Sequence, residues 1–177
     1  MVSFSDPKKN IDQCGIQVGM VIADLGAGSG FYTLEAAKAL GSTGKVYAVD
    51  AQKDLLSRIK NHATKEGLYN VEVIWGDIEK LGGTNIKDNS IDLIMVCNVL
   101  FQLTDKKGVA GEIKRILASG GRVLVVDWTD SFGGIGPHKD HVFSKENAEA
   151  LFEGNGFSKD REIQAGAHHY GFIYKKL

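Results

Sequence analysis

Apolar and polar positions along the chain alternate between short, dense apolar runs and longer stretches of helical period. Met20 to Leu25, Lys45 to Asp50, Val71 to Asp77 and Ile91 to Cys97 are the dense runs. The last is almost continuously apolar, as expected of a strand covered on both faces. Between them, Phe31 to Leu40 sets Leu34, Ala37 and Leu40 on one face, and Asp54 to Gly67 carries Leu55, Leu56, Ile59 and Ala63 at helical spacing. Strand, helix, strand, helix predicts parallel pairing in an α/β fold.

The second half repeats the alternation. Ile78 to Ser90 is polar and glycine-containing, a predicted loop, and Thr104 to Ala118 is a predicted helix with Val109, Ile113, Ile116 and Leu117 inward. Ser119-Gly120-Gly121 is expected to turn the chain into a strand from Arg122 to Trp128. Thr129 to Val142 is the longest piece without a periodic signal, and loops of that length are usually functional. Ser144 can cap a helix to about Asn155. Phe157 to Gln164 and His168 to Lys175, joined by Ala165-Gly166-Ala167, form a predicted hairpin. At the other end, Asp6 and Pro7 fit an N-cap and first helical position, opening a short helix that stops at Gly15 and lies over a ligand site or against another chain.

The chemistry begins where the first strand ends. Val21 to Leu25 runs into Gly26-Ala27-Gly28-Ser29-Gly30, three glycines at alternate positions before a helix at Phe31. Such a turn lets a ligand approach the main chain with no Cβ in the way. The dinucleotide fingerprint needs a small residue where Phe31 stands and gives no role to Asp24. A carboxylate beside the turn would repel a pyrophosphate and suits a ligand with a positive amino group. Two further strands end in carboxylates, Asp50 and Asp77, and Asp50 follows Gly26 at about the separation at which an acidic residue reaches a ribose hydroxyl pair. These groups outline a nucleoside site.

Composition narrows the setting. The 177 residues, 43% hydrophobic and 24% charged, suit one globular domain over 1–177. A formal charge of −1 argues against a general attraction to nucleic acid or an anionic membrane. Two cysteines without metal-ligand spacing, no apolar signal-peptide core and no bilayer-length run lead to the expectation of a cytoplasmic protein.

With Asp24-x-Gly26-x-Gly28-x-Gly30, Asp50, Gly76-Asp77-Ile78, the apolar strand into Asn98, and Lys114-Arg115-Ile116-Leu117 before Gly120-Gly121, the chain resembles the class I S-adenosylmethionine-dependent methyltransferases. Its tail, with Asp127-Trp128, Gly136-Pro137-His138 and His169-Tyr170-Gly171, is similar to small stand-alone members of the methyltransferase-11/25 type. The resemblance implies a Rossmann-like three-layer sandwich whose seven-stranded, mostly parallel sheet has the order 3-2-1-4-5-7-6, with strand 7 antiparallel. It implies S-adenosylmethionine as cofactor and S-adenosylhomocysteine as product. The glycine loop, with Ala27 and Tyr32, would then hold the methionine part; Asp50, Ala51 and Gln52 the ribose; Gly76, Asp77 and Ile78 the adenine; and Asn98 would lie beside the sulfonium.

Tyr32 and Phe101 follow strand ends at the cofactor face and are candidates for cation–π contact with the sulfonium. Phe31, Trp75, Trp128 and Tyr170 are expected in the core. His138 or His141, on the long loop, with Asp127 nearby, are the candidates to contact the acceptor or take its proton; the alternative is that they are hydrogen-bonded loop residues. His138-x-x-His141 with a further histidine could ligate zinc, but the spacing is a weak signal and the site is expected to be metal-free. The expected acceptor is a small molecule, since nothing resembles an inserted substrate domain, with a second copy or partner subunit as another source of enclosing surface. Two rivals are a non-catalytic S-adenosylmethionine-binding subunit or sensor, and a nicotinamide oxidoreductase, which Phe31 and Asp24 disfavour.

Overall fold

A computed structural model describes residues 5–177. The elements are α1 (Pro7–Asp12), β1 (Val21–Leu25), α2 (Phe31–Leu40), β2 (Lys45–Asp50), α3 (Lys53–Lys65), β3 (Val71–Trp75), β4 (Ile91–Cys97), α4 (Lys106–Ile116), β5 (Leu117–Trp128), α5 (Lys145–Glu153), β6 (Phe157–Glu162) and β7 (His169–Lys176). The seven strands form one sheet of order β3-β2-β1-β4-β5-β7-β6. β3, β2, β1, β4 and β5 pair in parallel, and β7 runs antiparallel between β5 and β6. This is the Rossmann-like order that the resemblance implied.

Two apolar layers sandwich the sheet. On one face Val109, Ile113 and Ile116 of α4 and Phe152 of α5 pack on Ile94, Val96, Val125 and Phe172. On the other, Ile11 of α1, Leu34 and Leu40 of α2 and Ile59 of α3 pack on Ile22, Val46, Met95 and Val126. Removing Ile59 from water contributes about 2 kcal/mol to that second layer.

Local chemistry sets the helix starts. The Asp6 carboxylate accepts the amides of Lys8 and Lys9 at 3.1 and 3.3 Å, Asp105 that of Gly108 at 2.9 Å, and Ser144 that of Asn147 at 3.2 Å. α2 differs: its N-cap is the left-handed Gly30 (φ 82°), which has no side chain to cap with.

Several expectations need correction. The helix expected to reach Ala118 ends at Ile116, and the strand begins at Leu117. Gly120 and Gly121 lie within the strand, where pairing slips from Ile91↔Leu117 to Leu93↔Arg122. The glycines absorb this bulge, with Gly120 at φ 74°. Phe31 and Trp75, expected in the core, are 65% and 60% exposed. β3 is an edge strand, so Trp75 has no layer to enter; it donates Nε1 to the Ala51 carbonyl at 3.0 Å and lies beneath the Lys53 ammonium. Leu55 is only half-buried, because it points away from the apolar stripe of α3 into a cleft.

Candidate functional site

The cleft opens at the carboxyl ends of β1, β2, β3 and β4, where sequence reasoning placed it. It has two connected compartments. One, of about 600 Å³, is lined by Gly28, Ser29, Tyr32, Leu55, Cys97 and Asn98 among others. The other, of about 220 Å³, is lined by Ala51, Gly76, Asp77, Ile78, Glu79, Val99 and Leu103 among others. Gly26, Asp50, Gln52 and Gln102 border both. A larger hollow, about 770 Å³, lies at the opposite end of the strands around Gly41, Lys45 and Asn70. It receives none of the strand-end carboxylates and is an open dip between loops.

The glycine turn is fastened to β2 by the amides of Gly26 and Ala27, which donate to the Val49 carbonyl at 2.9 and 3.0 Å. At Gly26 (φ 74°) a Cβ would fall 2.6 Å from Val99 Cγ2, so the turn can touch the β4 loop only as glycine. At Gly28 a Cβ would meet nothing closer than 3.9 Å, which leaves its backbone open to the cleft. Asp50 binds the turn from the side: Oδ2 accepts the Gly28 amide at 2.9 Å and Oδ1 accepts the Gln52 amide at 2.9 Å. Each oxygen keeps a lone pair for a ligand hydroxyl.

Asp24 is placed differently from the expectation that it meets a ligand's amino group. It is 2% exposed beneath the turn, and accepts the Thr33 hydroxyl at 2.6 Å. Burial, countered by Thr33 and reinforced by the nearby Asp50 charge, pushes its carboxyl up to about 6. It therefore ties β1 to the first turn of α2. Thr33 carries no sequence signal for this role, since helix positions rarely announce a hydroxyl's partner.

Asn98, directly after β4, has φ 55° and donates its amide to the Val126 carbonyl at 2.8 Å. A non-glycine residue in that conformation is uncommon, and asparagine is the side chain that adopts it most readily. Its Oδ1 is buried and has no hydrogen-bond partner. The smaller compartment is bordered by a separate network. Glu79 Oε1 accepts the Thr104 amide at 2.6 Å, and the buried Glu112 accepts the amides of Gly82 and Thr84 at 2.7 and 3.1 Å. Burial works against the Glu112 charge, but Arg115, Thr84 and those amides hold its carboxyl at about 2.

Comparison with known proteins decides the class. The family model described as "Methyltransferase domain" matches residues 16–163. The chain belongs to the methyltransferase domain family. It is similar to an S-adenosylmethionine-dependent methyltransferase from Aquifex aeolicus, with 28% identity, a TM-score of 0.89, and coverage of 98% of this chain and 91% of that one. It is 30% identical over 120 residues to the ubiquinone/menaquinone biosynthesis C-methyltransferase UbiE of Hahella chejuensis, covering 67% of this chain and 47% of that protein. The chain thus spans about half the length of the curated relatives it matches. An arsenic(III) S-adenosylmethionine methyltransferase from Chlamydomonas reinhardtii is 26% identical with a TM-score of 0.70, over 89% of this chain and 63% of that one.

S-adenosylmethionine is the cofactor of this methyltransferase class, and the cleft fits it on its own chemistry. Asn98 offers an unsatisfied buried acceptor, Gly28 an open backbone, α2 an N-terminus whose N-cap glycine covers no amide, and Asp50 free lone pairs for hydroxyls. Of the expected binding residues, Gly26, Ala27, Gly28, Gly30, Tyr32, Asp50, Ala51, Gln52, Gly76, Asp77, Ile78 and Asn98 line the cleft. Phe101 does not; Val99, Gln102 and Leu103 of the same turn take that place. Tyr32 is 8% exposed, its hydroxyl held by Asn10 Nδ2 at 2.7 Å and Ser5 Oγ at 3.2 Å, so α1 sits beside the larger compartment.

The candidates for acceptor chemistry are spread apart. Asp127 is fully buried, and accepts the amides of Leu100 and Trp128 at 2.8 Å each. Burial, opposed by these amides and those of Val99 and Phe101, brings its carboxyl to about 6. It holds the 99–102 turn that lines the cleft. His138 and His141 lie on the exposed 129–143 loop, their rings 6.1 Å apart, with His138 Nδ1 3.2 Å from Asp140. Among the described residues that line the two compartments, neither histidine appears. No group of three or more His, Cys, Asp or Glu side chains among the described residues is placed to hold a metal ion.

Proposed function

We propose that this methyltransferase moves the S-adenosylmethionine methyl group onto a small-molecule acceptor by in-line displacement. The observation that carries the reading is Asn98: a left-handed residue directly after β4 that lines the cleft beside the glycine turn and Tyr32 and keeps a buried Oδ1 without a hydrogen-bond partner. S-adenosylmethionine supplies a methyl group already activated on a sulfonium. The residues have only to fix its position, exclude water and leave one side open, a proximity effect able to supply about 7–11 kcal/mol when geometry is ideal.

The likeness to UbiE, a C-methyltransferase of quinone biosynthesis by its name, supports an organic acceptor of modest size. So does the absence, among the described residues, of any inserted element beyond α1 and the 129–143 loop on the acceptor side. The buried, unpaired thiols of Cys14 and Cys97 support a reducing, cytoplasmic setting. Calorimetric titration with S-adenosylmethionine and S-adenosylhomocysteine, followed by a methyl-release screen over small phenols, amines and thiols, tests the proposal. Binding with no turnover on any acceptor would support a sensor role instead.

A further inference from the structure

The buried stripe of α4 carries Val109, Ile113 and Ile116, and among them stands Glu112, 0% exposed. A carboxylate on a core-facing helix position is costly to bury unless donors surround it. Glu112 has them from two sides. Arg115, one turn further along α4, donates Nε to Oε2 at 2.8 Å and Nη2 to Oε1 at 2.7 Å. The loop after β3 supplies the rest: the Gly82 amide bonds Oε2, and the Thr84 amide and hydroxyl bond Oε1. Arg115 Nη1 also ties that loop at the Ile86 carbonyl, 2.9 Å away.

The two amides that Glu112 holds flank Gly83, and Gly83 is where the loop meets the wall of the cleft. Its carbonyl accepts the Asp77 amide at 3.1 Å. A Cβ at Gly83 would fall 2.1 Å from the Asp77 carbonyl oxygen, and one at Gly76 2.5 Å from the Gly83 carbonyl oxygen, so the two backbones touch as glycine on glycine. Gly76, Asp77 and Ile78 line the smaller compartment. None of Gly82, Gly83, Thr84, Glu112 and Arg115 is among the described residues that line either compartment. The Glu79 amide, and after it Lys80, hold the Asp77 carboxyl below its ordinary value, so an ionised acceptor borders the smaller compartment.

We propose that Glu112 is a positioning residue for the base of S-adenosylmethionine: it fixes the Gly83 carbonyl, and through it the Asp77–Ile78 backbone, so that the smaller compartment prefers a purine bearing an amino group to one bearing a carbonyl in its place. Glu112 touches no ligand and takes no part in methyl transfer. An ionised carboxylate accepts an amino N–H and repels a carbonyl oxygen, but only at a set distance and direction. The Gly83 carbonyl sets that direction by holding the Asp77 amide from behind. A leucine in place of Glu112 would serve the core equally well and would leave the amides of Gly82 and Thr84 without their acceptor. The carboxylate on this stripe is therefore explained by the loop it holds, and the loop by the wall it supports.

This rests on the methyltransferase reading, with the base in the smaller compartment, and the test separates the two. The full chain is titrated by calorimetry with S-adenosylhomocysteine and with S-inosylhomocysteine, which has a carbonyl where the first has the amino group. The parent should prefer the first by about tenfold, the scale of one mispaired hydrogen bond. Glu112→Gln turns one of the two acceptor atoms into a donor and should cut that preference to about twofold, through weaker S-adenosylhomocysteine binding alone. Gly83→Ala leaves Glu112 in place and drives a methyl group into the Asp77 carbonyl. It should lower the preference equally, and it keeps the proposal testable if Glu112→Gln does not fold. Asp88→Ala, which removes the exposed partner of Arg115, should leave both affinities within about twofold of the parent. Variants that keep the parent's preference, or that weaken both ligands equally as a merely structural role would, overturn the assignment, and so does a parent that binds both ligands equally. Failure of the parent to bind S-adenosylhomocysteine would instead defeat the methyltransferase reading, and the positioning role with it.

Discussion

Asp50 and Gly28 are bonded across the mouth of the cleft, carboxylate Oδ2 to backbone amide at 2.9 Å, so the residue expected to hold the ribose also shapes the turn beside it. Asp50→Ala removes both functions. Cofactor affinity should fall by about 1–3 kcal/mol, the scale of leaving buried polar partners unpaired. Calorimetric titration with S-adenosylhomocysteine measures it; an unchanged affinity would take Asp50 out of the site.

Gly26 and Gly134 have nearly the same backbone angle, φ 74° and 78°, but different surroundings. A Cβ at Gly26 would strike Val99 Cγ2 at 2.6 Å, while one at Gly134 would meet nothing within 4 Å. Both alanine variants carry the left-handed cost of about 1–2 kcal/mol. Gly26→Ala should cost at least 1 kcal/mol more in chemical denaturation, and Val99→Ala should recover part of that difference. Equal losses would show that the turn yields around Val99.

The buried Asp24 carboxyl gives a signed pH effect. The folded chain keeps this proton up to about pH 6, whereas the unfolded chain releases it near the ordinary value of 3.8. Between those values the folded state binds more protons, so this group's contribution to stability declines as pH rises from about 4 to about 6. Asp24→Asn removes the titration while keeping an oxygen for the Thr33 hydroxyl. The variant should therefore gain on the parent across that window by up to about 3 kcal/mol and stay level above it. Urea denaturation at intervals from pH 4 to 7 reads the difference; a constant gap would mean that Asp24 titrates normally.

His138→Ala and His141→Ala should leave methyl transfer within twofold of the parent, since both residues stand on the exposed loop and neither lines the cleft. Steady-state rates with any acceptor found in the screen decide it. A loss of 100-fold or more in either variant would mean that the loop folds over the acceptor during turnover.

Much of the cofactor half was legible in the sequence, because its signals are local. A strand ending in alternate glycines, and carboxylates at two more strand ends, are readable without knowing what packs on them. Asp24 and Asp127 were legible as positions but not in what they do. Whether a strand-end carboxylate faces a ligand or turns under to take backbone amides depends on side-chain direction and burial, and both here are buried beneath 0–2% exposure. Thr33, Val99 and Gln102 gave no signal, since each acts through contacts far along the chain.

The seat of α1 has a consequence for how the chain assembles. Asn10 meets Ala165 across 155 positions, and Gln13 meets Gln164 across 151. A six-residue helix is too short to persist alone. It rests on α2, where Asn10 bonds the Tyr32 hydroxyl, and is pinned from the other side by the β6–β7 connection. Loops of that span are the slowest to close during folding. The corner of the cleft at the Tyr32 hydroxyl is therefore closed by contacts from both ends of the sequence, and the seat of α1 is complete only when the two are brought together.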